Sequence, residues 1–103
     1  MVYRLEITQR AEELLENIIF YVAVKLSNPT AAAAILDDVE KAYSDLEFMA
    51  ETLAYCEDPV LSAKGFRKIR LEHHDYVILY KVRGGTVTIE GMFHELENYG
   101  KKL

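Results

Sequence analysis

The chain has one cysteine, Cys56, no tryptophan and only two prolines. A single cysteine excludes an internal disulfide, and no His/Cys cluster has the spacing of a zinc site. The opening residues Met-Val-Tyr-Arg-Leu-Glu lack the basic-then-apolar pattern of a signal peptide. The longest apolar run, Ile18 to Val24, is far below the ~20 residues that span a bilayer. Also missing are a phosphate-binding glycine loop, a dinucleotide fingerprint and a hydrolase elbow. A cytoplasmic protein without membrane, metal or cofactor is expected. Half of the 103 residues are hydrophobic, enough to offset chain entropy in one domain, 1–103, and too few for two cores.

The net charge of −5 hides a division. Residues 1–63 hold four basic against twelve acidic residues, a balance of −8. Residues 64–103 hold eight against five, a balance of +3, together with all three histidines. The average argues against nucleic-acid binding; the distribution leaves room for a local basic face.

Periodicity gives the elements. Tyr3, Leu5 and Ile7 alternate with Arg4 and Glu6, as in a half-buried strand. Thr8 can cap a helix whose apolar positions, Ala11, Leu15, Ile18, Val22 and Leu26, step by three and four. Asn28-Pro29 breaks it and starts a second helix with the stripe Ile35, Val39, Ala42, Leu46, Met49 and Leu53. Residues 54–65 read as a loop. Strands are predicted over 66–72, 76–83 and 86–93. Gly84-Gly85 is a two-residue hairpin turn, and His74-Asp75 is taken as the other.

Those turns predict that Lys68 pairs with Lys81 and Arg70 with Leu79. They put Lys68, Arg70, Glu72, Val77, Leu79, Lys81, Arg83, Thr88, Glu90, Met92 and His94 on an open, partly basic face. Ile69, Leu71, Tyr76, Ile78, Tyr80, Val82, Val87, Ile89 and Phe93 fall on the face under the helices. Lys68 and Arg70 then stand ~6–7 Å apart, close to a phosphate step, with Lys81 beside them. Phosphate binding and a charged face kept only for solubility both fit this pattern. His94, Glu95 and Tyr99 follow, a set able to move protons at a phosphodiester; a purely structural closing of the sheet edge fits them as well. Phe20 and Val24 lie on the side of the first helix that should be polar, a sign of a binding surface.

A strand, a helical hairpin, a loop and an antiparallel meander ending in His-x-x-x-x-Tyr resemble the RelE/ParE toxins of bacterial type II toxin–antitoxin modules. The stretches that carry the resemblance are Tyr3-Arg4-Leu5-Glu6-Ile7-Thr8 with Ala11, Gly65-Phe66-Arg67-Lys68-Ile69, Tyr76-Val77-Ile78-Leu79-Tyr80, and Met92-Phe93-His94-Glu95-Leu96-Glu97-Asn98-Tyr99. The resemblance implies an α+β fold with the helices on one face of the sheet, and a cognate antitoxin as partner, with Phe20 and Val24 contacting it. It implies one of three activities. The first is a ribosome-dependent mRNA endonuclease. In it Lys68, Arg70 and Lys81 hold phosphates, His94 or Glu95 acts as base on an RNA 2′-hydroxyl, and Tyr99 is a positioning or acid group. The second is non-enzymatic inhibition of DNA gyrase. The third is a weakened toxin that only binds its antitoxin. Two arginines common in the RNA-cleaving branch are replaced here by Val77 and Glu95.

Overall fold

The alternating segment after the N-terminus becomes β1 (Arg4–Ile7), and Thr8 caps α1 (Gln9–Phe20) by accepting from the Ala11 amide. The computed structural model describes residues 2–103. The first helix continues through a wider π-helical turn over Tyr21–Lys25, in which the Leu26 amide donates to the Tyr21 carbonyl. Ser27, at φ 51°, ends it. Asn28 caps α2 (Pro29–Met49) through the Ala31 amide, with Pro29 in the first turn where its missing N–H costs nothing. The segment expected to be loop contains a short helix, α3 (Pro59–Ala63), capped by the Asp58 carboxylate on the Val60 and Leu61 amides. The remaining strands are β2 (Arg67–Arg70), β3 (Tyr76–Arg83) and β4 (Thr86–His94), followed by a 3₁₀ turn over Tyr99–Lys101.

The sheet is mixed, in the order β1-β4-β3-β2. β1 lies parallel to β4, with Arg4 beside Thr86 and Ile7 beside Ile89; the other pairings are antiparallel. Helices α1 and α2 cover one face, and the core there contains Val22, Ile35, Val39, Leu46, Leu71, Ile78, Tyr80, Val87 and Ile89. Ala50 rather than Met49 completes the α2 stripe, since Ala50 is buried and Met49 is exposed. Tyr80 sits at 0% exposure and donates its hydroxyl to the Ala50 carbonyl at 2.7 Å; burial pushes its pKa up to about 12.

Two register details differ from expectation. β2 is displaced by two residues: Lys68 lies opposite Leu79 and Arg70 opposite Val77. The connection is a loop closed by the Leu71 amide on the Tyr76 carbonyl rather than a two-residue turn at His74-Asp75. Buried Asp38 of α2 holds it open, accepting from the His73 amide at 2.8 Å and from His74 Nδ1 at 2.7 Å. Burial pushes the Asp38 carboxyl up, but the His74 bond, the His73 amide and both rings' charges outweigh it and hold it below its ordinary value. An even displacement leaves every β2 side chain on its expected face.

The second difference changes faces. Tyr80 pairs with Ile89 but Leu79 pairs with Gly91, so Glu90 is an extra residue and β4 carries a bulge. Beyond it the alternation inverts. Met92 joins the core under the helices, Phe93 turns to the far face, and His94 pairs with Tyr76 on the helix side. The assignments of Met92, Phe93 and His94 are therefore corrected. Gly91 permits this fold-back, because a Cβ there would lie 2.8 Å from the Phe93 ring. On the far face Phe93 packs with Leu79, Phe66, Leu61 and Cys56 in a second, smaller core that α3 covers.

Candidate functional site

The far face of the sheet is thus not open along its length. The small core under α3 occupies its middle and leaves a basic group at each end. At one end, Lys68 lines a concavity of about 210 Å³ with Cys56, Glu57, Asp58, Glu95, Glu97, Asn98, Tyr99 and Gly100. Alternation along β2 puts Lys68 and Arg70 on this face, as the sequence predicted. Tyr99 is brought there by stacking on Phe93, with ring centroids 5.8 Å apart and planes 18° apart. Three of the expected residues, Lys68, Glu95 and Tyr99, do share a cleft.

Its electrostatics differ from expectation. Four carboxylates, those of Glu57, Asp58, Glu95 and Glu97, line the same concavity as the Lys68 ammonium. Arg70 is already engaged: its guanidinium pairs with Asp75 and, at 3.3 Å, with Glu95, and it donates to the Leu71 carbonyl at 2.9 Å. Lys102 holds the Glu97 carboxyl below its ordinary value, reinforced by the His94 amide and opposed by partial burial, so Glu97 is an anion at neutral pH. Burial pushes the Cys56 thiol up, against the pull of Lys68, and so disfavours its thiolate.

His94 is not part of this cleft. Its ring meets Tyr76 edge-on at 5.5 Å, and its Nδ1 accepts from the Leu96 amide at 3.1 Å. It lines a separate groove of about 290 Å³ with Asn17, Ile18 and Tyr21 of the first helix. Val77, at the position of an expected arginine, is buried. Lys81 is separated from Lys68 and stands over the Phe66 ring, its Nζ 4.5 Å from the centroid. Among the described residues no group of three or more His, Cys, Asp or Glu side chains is arranged to hold a metal ion.

The comparisons agree with this architecture. The family described as "ParE toxin of type II toxin-antitoxin system, parDE" matches residues 5–99, nearly the whole chain. The chain belongs to the ParE toxin family. It is a toxin of a type II toxin–antitoxin module. Among solved structures it is similar to a chain of the chromosomal ParDE system of P. aeruginosa, at 23% identity and a TM-score of 0.73, over 90% of this chain and 96% of that one. It is also similar to a chain of the RelBE2 toxin–antitoxin complex of Mycobacterium tuberculosis, at 22% identity and a TM-score of 0.61, over 91% and 99%. The comparison with curated proteins gives no match.

Two further features of this ParE-family chain bear on binding. Phe20 and Val24 are exposed at 56% and 55%, and Tyr21 and Leu26 are equally bare. The π-helical turn brings these four to the end of the first helix as an apolar ridge. The carboxylates of the Lys68 cleft were visible as letters in the sequence. Their convergence was not, because it depends on α3 and on the bulge at Glu90.

Proposed function

We propose that this toxin acts inside the cell by binding a protein target, DNA gyrase, and not by cutting mRNA. The observation that carries the reading is the cleft in which Lys68 meets Glu57, Asp58, Glu95 and Glu97. Cleavage by a 2′-hydroxyl builds extra negative charge on a phosphate. A carboxylate ~6 Å from that charge opposes it by about 2–3 kcal/mol at an effective dielectric constant of about 20, before salt screening. Glu57 and Asp58, outside the ion pairs of the described residues, work against any stabilisation from one ammonium, and Glu95 and Glu97 already hold Arg70 and Lys102. Arg70 is already paired, and His94 lies on the other side of the sheet. Losing even one donor to a transition state costs about 10²–10³ in rate. Inhibition by binding needs none of this apparatus.

The cognate antitoxin is the second partner in this reading. The apolar ridge at Phe20 and Val24 is its contact, since an exposed cluster of this kind costs solubility unless it is covered. The similar chains of P. aeruginosa and M. tuberculosis come from toxin–antitoxin systems.

One observation favours a second reading, that of a weak nuclease: Lys68, Glu95 and Tyr99 line one concavity. Two assays separate the readings. Purified toxin is added to gyrase and negative supercoiling is followed; in parallel, single-turnover cleavage of mRNA on programmed ribosomes is measured. Inhibited supercoiling with intact mRNA is expected. Cleaved mRNA with unaffected gyrase would reverse the assignment. If both assays are blank, the chain is a weakened toxin that binds only its antitoxin.

A further inference from the structure

The other end of the far face carries a cluster of cations. Lys64, at the end of α3, and Lys81 and Arg83, two apart on β3, surround a concavity of about 360 Å³ with Gly65, Val82, Thr88 and Glu90. Among the described residues the ion pairs engage Arg4, Lys41, Arg70, Lys102, His73 and His74, and none involves Lys64, Lys81 or Arg83. Glu90, on the bulge, is the one carboxylate lining the concavity. The local balance is three cations to one anion, on a chain whose net charge is −5.

We propose that Lys64, Lys81 and Arg83 form a contact site for the phosphates of duplex DNA. Lys81 and Arg83 share one face of a rigid strand, ~6–7 Å apart, which matches successive phosphates. The Thr88 hydroxyl on the adjacent strand adds a neutral donor. Sites for single-stranded RNA combine a basic groove with exposed aromatic platforms on which the bases stack. This concavity has none: the nearest ring, Phe66, is buried beneath Lys81. Backbone contact without stacking is what a duplex offers. Lys68 lies opposite Leu79, ~7 Å from Lys81 and ~13 Å from Arg83 along β3, so Arg83 stands beyond the ~8 Å screening length of physiological salt from Lys68 and Lys81 stands just within it. The site goes beyond the gyrase reading and does not depend on it.

The test uses isolated toxin and a 20-base-pair duplex, followed by NMR shift perturbation and fluorescence anisotropy from 50 to 200 mM salt. Shifts at Lys64, Gly65, Lys81, Arg83 and Thr88 are expected, with log K falling against log salt with a slope of about −2.7 for three phosphates. The combined variant Lys64→Gln, Lys81→Gln, Arg83→Gln should bind at least tenfold more weakly, and Glu90→Gln should bind about threefold more tightly. Gain of binding by Glu90→Gln cannot arise from misfolding. Lys25→Gln, at the end of the first helix on the other side of the sheet, should bind like wild type. Equal binding by the triple variant overturns the proposal. So does stronger binding to single-stranded RNA or to polyglutamate than to the duplex, or the absence of shifts at 50 mM salt.

Discussion

The two faces of the sheet are built from the same strands and treat their charged residues differently. Under α1 and α2 a continuous apolar layer excludes water, and Asp38, the one buried carboxylate among the described residues, accepts two hydrogen bonds at Oδ2. The far face has a thinner cover, a five-residue buried cluster under α3, with charged groups at both of its ends. The difference teaches that a lysine on a sheet face is not yet a phosphate site. Lys68 has the right strand, the right face and the right spacing, yet it is surrounded by carboxylates. Lys81 and Arg83, on the neighbouring strand, are not.

The comparison can be broken most severely in the cores. Ile78→Ala, under the helices, should cost about 3–4 kcal/mol, and Leu79→Ala, one residue on and facing α3, about 2–3 kcal/mol, within the usual range for such truncations. Urea unfolding of both variants measures the gap; a larger loss at Leu79 would make the far-face core the dominant one. Asp38→Ala should cost about 2–3 kcal/mol, because the His73 amide and the His74 ring lose a buried acceptor. Its pH dependence has a definite sign. The folded Asp38 carboxyl lies below its ordinary value, so its contribution is present above about pH 4 and is lost as the pH falls through the lowered value. Acid unfolding of wild type should therefore be steeper than that of the variant.

Gly91→Ala comes next, at about 1–3 kcal/mol, since its methyl must displace the Phe93 ring. The same variant sharpens the account of the two faces: shifts at Phe93 and Tyr99 should exceed those at Met92. Phe20→Asp should leave the melting temperature unchanged and weaken antitoxin binding at least tenfold in a calorimetric titration; unaltered affinity would move the interface elsewhere. The smallest effect is expected for Glu95→Gln, which removes an exposed partner of Arg70 and should change stability by less than about 0.5 kcal/mol.

The elements were legible wherever one local rule governed them. Thr8 and Asn28 cap their helices as their side chains predict, and Gly84, at φ 60°, makes the turn that sets Lys81 opposite Thr88. Asp58-Pro59, a cap followed by a proline suited to the first turn, is a readable helix start inside the segment expected to be loop. Gly91 inside an otherwise regular strand was the available sign of a bulge. The candidate site was less legible. Lys68, Glu95 and Tyr99 line one concavity, and Arg70 reaches it only through its pair with Glu95. His94 does not reach it, because a single inserted residue reverses every side chain after it. The loop holding His73 and His74 depends on Asp38, 35 positions earlier, which no local pattern reveals.

The parallel pairing of β1 with β4 has a consequence in time. Arg4 and Thr86 are neighbours in the sheet though 82 positions apart in the chain. Closing a segment of that length costs roughly 4 kcal/mol of chain entropy. At about 5–20 residues per second, a ribosome needs roughly 4–16 s to travel from one strand to the other. Throughout that interval the newborn chain carries β1 without its sheet partner, while the β3–β4 hairpin that must receive it does not yet exist. The sheet therefore cannot close on β1 until β4 has been made. A nascent chain arrested before Thr86 should be digested readily at β1, whereas one released after His94 should resist.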